Sequence, residues 1–342
     1  MIESVFVTTA APPPNASQGG VLRALVSGFD RVSARPYLIL PALVLDFFLW
    51  LGPRLHLKGI FDVLAATLQT PAGASPELAD QVAMVQESLL TMGERFNLLS
   101  TLATFPIGLP SLMASTMPAG SPLGEPAQIA VTAPGAIAGI WLGLTILGLG
   151  VAALYHGAVS AAAAPDAPPT AGVVVWVRVL GMAGLAYLAL AVVGFASLAA
   201  ASVVALVIPI LGPGVAFLGF TVLFWVAVYL AFTPHGLIRN GLGLARAMRE
   251  SVELVRRNLL STVGLLTLLL LISWIGGYIW ELPTADSWFT SLAILGHAFV
   301  SAMLLAASYI FYVGRREAML AAAQPALSAE KGSADRRDPS GA

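Results

Sequence analysis

LARAMRESVELVRRN (244–258) runs without a break into LLSTVGLLTLLLLISWIGGYIW (259–280). The first part is basic and amphipathic, and the second carries no charge at all. An apolar run of about 20 residues is what a helix needs to cross a hydrocarbon core of about 30 Å. In the basic part Leu244, Met248, Val252, Val255 and Leu259 share one helical face, opposite Arg246, Arg249, Glu250, Glu253, Arg256 and Arg257. The spacing predicts ion pairs Arg246–Glu250, Arg249–Glu253 and Glu253–Arg257. An interfacial helix feeding a membrane span is the expectation, with Arg246, Arg249, Arg256 and Arg257 meeting lipid headgroups or a docking partner.

The whole chain has the same character. Of its 342 residues 58% are hydrophobic and 10% charged, and mean hydropathy is +0.85. Soluble domains carry about a quarter charged residues, so lipid is the expected solvent for much of this surface. A net charge of −1 gives no footprint for nucleic acid. With no cysteine, thiolate catalysis and Cys-ligated metals are excluded. The many Ala, Gly and Pro residues, and arginines in place of lysines, fit a bacterial origin.

Reading outward, residues 1–18 are expected to be disordered, and 19–53 to form an interfacial helix and a first span at about 36–53. Residues 54–134 are too polar to span and form a helical extracytoplasmic insertion. Within it Leu78, Val82, Val85, Leu89, Met92, Phe96 and Leu99 alternate four and three apart, a coiled-coil-like seam. Ser75-Pro76-Glu77 starts that helix, and the apolar stripe of 57–68 is suited to pair with it. LLSTLATFPIGLPSLMAS (98–115) is apolar but broken by prolines, and reads as a segment dipping into the interface. The bundle proper, 135–323, supplies five further spans, and 324–342 forms a disordered tail.

Fourteen basic residues (Arg23, Arg31, Arg35, Arg178, Arg239, Arg246, Arg249, Arg256, Arg257, Arg315, Arg316, Lys331, Arg336 and Arg337) fall on one side of this plan, and Arg54, Lys58 and Arg95 on the other. The positive-inside rule then puts both termini in the cytoplasm. The fold class is therefore an all-α polytopic bundle of about six spans in a bacterial inner membrane. LRALVSGFDRV (22–32) also aligns with ARAMRESVELV (245–255), and AGVVVWVR (171–178) stands similarly before the third span, a pattern suggestive of repeated units.

Chemistry-bearing candidates are few. Asp46 is a carboxylate inside the first span, where charge costs about 2.5–3.5 kcal/mol, so it is expected to face the bundle or a cavity, with His297 as a possible companion. His156, His235 and His297 lie on three spans without metal-ligand spacing. Gly135, Gly139 and Gly143 recur every four residues, a ridge for close helix packing. GLGVAA (148–153) matches a dinucleotide fingerprint only in letters, because it sits inside a span. No catalytic, cofactor or metal site is expected.

Ser251-x-x-Leu254-Val255-Arg256-x-Asn258 before one span, and Tyr309-x-Phe311-Tyr312-x-x-Arg315-Arg316 closing the last, resemble a family of six-helix bacterial inner-membrane proteins. These are related to the membrane domain attached to some glycerophosphodiester phosphodiesterases. The resemblance covers about 170–320 and implies architecture. The 54–134 insertion departs from that plan and no phosphodiesterase domain is present, so the activity is not carried over. The functional expectation is a non-enzymatic scaffold, accessory subunit or permease-like component, with a partner engaging 76–100 or 244–258. A secondary transporter using Asp46 in a central cavity is the alternative, and a permease subunit of an ATP-driven transporter the third reading.

Overall fold

The computed structural model describes residues 20–69, 75–118, 120–165 and 172–335, with side chains up to 322. The expected disorder of 1–18 lies outside these residues. The chain is an all-α membrane bundle. Five of its helical stretches are long and apolar enough to cross a bilayer, Pro134–Ala163, Val173–Val207, Pro209–Asn240, Leu259–Trp280 and Thr290–Ala322. A bent pair, Val21–Ser33 with Pro36–Leu51, makes a sixth if counted as one broken span.

That first span differs from the expectation. Helix α1 (Val21–Ser33) and α2 (Leu40–Leu51, entered through a 3-10 turn at Pro36–Ile39) meet at 98°. Residues 36–51 alone give about 24 Å of helix at about 1.5 Å per residue, short of a full crossing. Nor does α1 lie free on the bilayer surface. It docks along α13 (Thr290–Asp335): Ala24 joins the cluster of Phe311 and Tyr312, Gly28 faces Met303 and Ala307, and Phe29 meets Phe299 edge-on at 5.5 Å. A Cβ on Gly28 would stand 2.7 Å from the Met303 carbonyl oxygen, so only glycine lets the two backbones come this close.

Helix α13 is the axis of the fold. Half of its apolar stretch is buried, against 11% to 22% for the other four. Alanines at 293, 298, 302, 306 and 307 give it a smooth surface against which α2 and α6 (Pro134–Ala163) pack. Trp50, fully buried, ends α2 by donating its indole N–H to the Ala285 carbonyl (2.8 Å) and meeting Trp288. The helix also continues to Asp335, so the tail assigned to disorder from Gln324 is helical that far, with 336–342 outside the described residues.

The insertion is closed at its neck. β1 (Arg54–His56) pairs in parallel with β2 (Gln128–Ala130), bringing its two ends together. Helices α3 (Lys58–Thr67) and α4 (Pro76–Arg95) form a hairpin in which Gln86 donates to the carbonyls of Ala65 and Leu68, Gly93 seats Phe61, and Lys58 pairs with Glu94 at 3.0 Å. Leu78, Val85 and Met92 of the seam remain exposed beside this contact. Residues 98–118, including the short α5 (Leu112–Thr116), leave this hairpin and enter the bundle.

Helices α7 (Val173–Ala189) and α8 (Phe195–Val207) are one span broken by a π-helical turn at Leu190–Gly194. Residues 173–178, read as a unit standing before the third span, are the first turns of α7 itself. Helix α9 (Gly212–Leu230) runs into α10 (Thr233–Asn240). Arginines counted above as topological markers also cap helix ends here. Arg35 and Arg239 donate to the Ala162 and Ser160 carbonyls at the end of α6, and Arg178 to Gly241, which ends α10 in a left-handed turn (φ 59°).

Helix α11 (Leu244–Arg257) turns a different face inward from the one its spacing suggests. Ala247, Ser251, Leu254 and Val255 are buried, while Met248 and Val252 lie at the edge. Ser251 decides this: its hydroxyl donates to the Tyr229 carbonyl (2.8 Å) and accepts the Phe232 N–H (3.1 Å), closing the α9–α10 corner. Glu250 is drawn away from Arg246 by Tyr312 (2.6 Å) and Arg316 (2.7 Å) on α13, and of the three expected pairs Glu253–Arg257 forms. Arg246, Arg249, Arg256 and Arg257 stay exposed. The chain continues into α12 (Leu259–Trp280), as its composition requires.

Candidate functional site

The site begins with non-helical backbone in an unusual place. Both ends of the 98–118 segment lie on the neck side of the bundle, near Pro134. Yet the Leu102 carbonyl abuts Gly148, and the Gly108 carbonyl accepts from His156, about 33 Å along α6 from its start. Ile107 packs there against Val175, Val179, Leu237 and Ile238. The segment is therefore re-entrant. It dips through the bundle and returns, deeper than the interfacial position expected for it. Irregular backbone at such depth is tolerated only inside protein or along a cavity, and this segment has both.

Asp46 holds it. The carboxylate is fully buried and accepts three hydrogen bonds at the start of α5: from the Ser111 hydroxyl (2.5 Å), the Leu112 N–H (3.1 Å) and the Met113 N–H (3.0 Å). Helix starts leave such donors unmet, and a carboxylate is their best partner. His297 stands on the other side, its Nδ1 3.8 Å from Asp46 Oδ2, as the sequence pairing of these two residues anticipated. Its Nε2 faces the Ser301 hydroxyl at 3.5 Å. The run of contacts is Ser111, Asp46, His297, Ser301.

Ser111 and Ser301 both open onto a cavity of about 940 Å³ between the re-entrant segment, α9, α12 and α13. Asp46 itself does not line it, so the expectation of that residue in a central cavity is corrected by one layer. The re-entrant segment contributes Ser100, Thr104, Ser111 and Ser115, α12 contributes Thr267 and Ser273, and α13 contributes Ser301 and Ser308. The remaining wall is apolar, from Phe224 and Val228 on α9 to Leu266 and Leu270 on α12, and among the described residues no charged side chain lines it. Hydroxyls both donate and accept, so this wall suits a neutral polar group.

Ser308 links the cavity to a second buried cluster. Its hydroxyl lies 2.9 Å from His235 Nε2, the His235 ring packs on Tyr309 at 4.2 Å, and the Tyr309 hydroxyl is 3.4 Å from His156 Nδ1. His156 and His235 are thus buried inside the bundle. Among the described residues no group of three metal-ligating side chains forms.

One sequence candidate lies away from the site. Gly135, Gly139 and Gly143 have open space where a Cβ would point, so among the described residues nothing packs against this ridge. The close approach occurs one turn on, at Gly148. Conversely, the cavity hydroxyls carried no sequence signal beyond being polar atoms in apolar runs. Pro110-Ser111 was the one usable hint, a proline turn followed by an N-cap residue.

Ser251, Leu254, Val255, Asn258, Phe311, Tyr312, Arg315 and Arg316, which carried the family resemblance, all make internal contacts here. Asn258 donates to the Leu254 carbonyl and Arg315 lies over the Phe311 ring at 5.2 Å. No protein-family model, curated protein or solved structure matches the chain. Fold and site together define a class: a multi-pass α-helical membrane protein with an open, mainly apolar cavity that carries serine and threonine residues and is walled in part by a re-entrant segment.

Proposed function

We propose that the chain is a permease-like protein of a bacterial inner membrane that holds a small amphipathic molecule in its cavity. The cavity carries this reading. A scaffold needs helix faces for its partners, whereas a cavity of about 940 Å³ with a mainly apolar wall and a few placed serines and threonines has the size and chemistry that a small-molecule site needs. Both termini are cytoplasmic on the fourteen-to-three distribution of basic residues. The exposed side of α4 and the arginine side of α11 are the surfaces for a partner and for lipid headgroups. The resemblance to the phosphodiesterase-linked membrane domain is kept as a statement of architecture. Native mass spectrometry of protein released from mild detergent tests the proposal. Wild type should carry a bound small molecule that Ala227→Trp, which fills the cavity from α9, lacks. Identical spectra would leave the scaffold reading standing.

A proton-coupled transporter is the second reading, favoured by the Asp46–His297 pair reaching the cavity through Ser111 and Ser301. His297→Gln separates the two readings better than Asp46→Asn, because it leaves the α5 cap in place. Uptake that keeps its pH dependence in this variant would exclude the pair as the coupling site.

A further inference from the structure

Resting on the permease-like reading above, we propose that the occupant is a single-chain lipid with an uncharged, hydroxyl-bearing headgroup, entering sideways from the bilayer between α9 and α12.

The headgroup class follows from the lining. Among the described residues no Asp, Glu, Lys, Arg or His side chain lines the cavity. A phosphate, carboxylate or ammonium group would give up its hydration there without meeting a counter-charge. A polyol exchanges hydrogen bonds to water for hydrogen bonds to serine and threonine oxygens, of which Ser111, Ser115 and Ser308 already donate within the protein and are left to accept. Thr104 and Ser111 of the re-entrant segment, Thr267 and Ser273 of α12, and Ser301 and Ser308 of α13 are polar, while the α9 wall, with Phe224 and Val228, is wholly apolar. The cavity is therefore amphipathic across its width, as a head-and-chain molecule is.

The route follows from how two helices diverge. Helices α9 and α12 meet at one end, where Val228 and Phe232 pack with Leu265. Further along, Phe224 and Leu270 both line the cavity and are 55% and 66% exposed, so the cavity reaches the outer surface between the two helices. An opening edged by large apolar side chains in a membrane protein faces acyl chains, so an aqueous solute is a poor match for it. The volume lies within the drug-sized range of about 300–1,000 Å³, which suits one acyl chain with its head better than a two-chain phospholipid.

The test uses the full chain in phosphatidylcholine nanodiscs with radiolabelled monoolein as the probe, and unlabelled oleate and lysophosphatidylcholine as competitors. Saturable binding at one site per chain is expected, displaced by monoolein and far less by either charged competitor. Thr267→Val with Ser273→Ala, on α12 and away from the Asp46 contacts, should weaken binding about tenfold. Ala227→Trp should abolish it, and Ala227→Leu should weaken it while disturbing the helix less. Equal displacement by a charged competitor would overturn the headgroup class and leave the permease-like reading intact. Unchanged monoolein binding in both Ala227 variants would overturn the site. No saturable binding of any probe, with no cavity-dependent adduct in native mass spectrometry, would overturn the permease-like reading along with it.

Discussion

Replacing Asp46 with alanine should release the re-entrant segment without unfolding the bundle. In the native protein the carboxylate accepts from Ser111 Oγ, Leu112 N and Met113 N at 2.5, 3.1 and 3.0 Å. Alanine leaves the two buried amide donors without a partner, at about 1–3 kcal/mol each, hence about 2–6 kcal/mol for the pair. Against this stands the burial of the charge, about 2.5–3.5 kcal/mol at the membrane centre. That cost is present whether the segment is docked or loose, so removing it does not help the docked form. Local opening should therefore become easier, and even the lower bound corresponds to about a 30-fold change. Hydrogen exchange of the 112–116 amides, read by mass spectrometry in detergent or nanodiscs, measures this directly. Exchange there should rise at least about 30-fold while the α12 amides are unchanged. Asp46→Asn, which keeps one acceptor, should fall between. Exchange within about threefold of wild type in Asp46→Ala would show that the carboxylate does not hold the segment, and the cavity wall would need another explanation.

Other perturbations test the packing. Gly148→Ala puts a Cβ 2.5 Å from the Leu102 carbonyl oxygen and should cost about 1–3 kcal/mol in detergent thermal denaturation. Gly139→Ala meets nothing and should be neutral or stabilising by up to about 1 kcal/mol, and a matching loss would restore the ridge that the structure denies. Gly28→Val should loosen α1 from α13, seen as protease cleavage within 21–35, and an uncleaved α1 would count against its docking. Glu250→Gln should lower the melting temperature and loosen α11, with an effect largely absent once Arg316→Leu is present. Glu77 gives the pH dependence. Its carboxyl is held below the usual range by its own backbone N–H and by Ser75, so the support it lends to the start of α4 is present above about pH 4.3 and fades as pH falls through its lowered folded value. Exchange of the first α4 amides should rise with acid beyond the intrinsic pH effect in wild type, and not in Glu77→Gln.

How much of this was legible differs by length scale. Helix α12 appears in the structure with the bounds its composition implied, because an uncharged run bounded by Asn258 and Glu281 has no competing conformation in lipid. The α3–α4 pairing was readable too, from a proline-started helix with a sustained apolar period. Residues 21–53 were not. A proline at 36 marks a break, but the 98° turn follows from Gly28 fitting the α13 backbone, a contact across about 275 residues that no local pattern encodes. The same limit explains α11. Periodicity finds the apolar stripe, yet Ser251 turns a mixed face inward because the α9–α10 corner leaves backbone groups to satisfy.

The candidate site was half visible, and the visible half is not the surface that a ligand would touch. Asp46 stands out in sequence because a carboxylate in an apolar run is costly, so it must have a partner. That reasoning finds the residue and requires a partner for it, without naming the partner. Its partners are backbone N–H groups, which every residue carries and which no sequence pattern distinguishes. The surface a ligand would touch is made of serines and threonines, each harmless in a membrane helix because its hydroxyl can bond a carbonyl of its own helix, as Ser197, Ser202 and Thr221 do here. Eight such residues gain meaning only when three segments set them around one volume. A charge in a span therefore points to where the structure is tied down, and the binding surface lies next to it, written in residues that look structural one at a time.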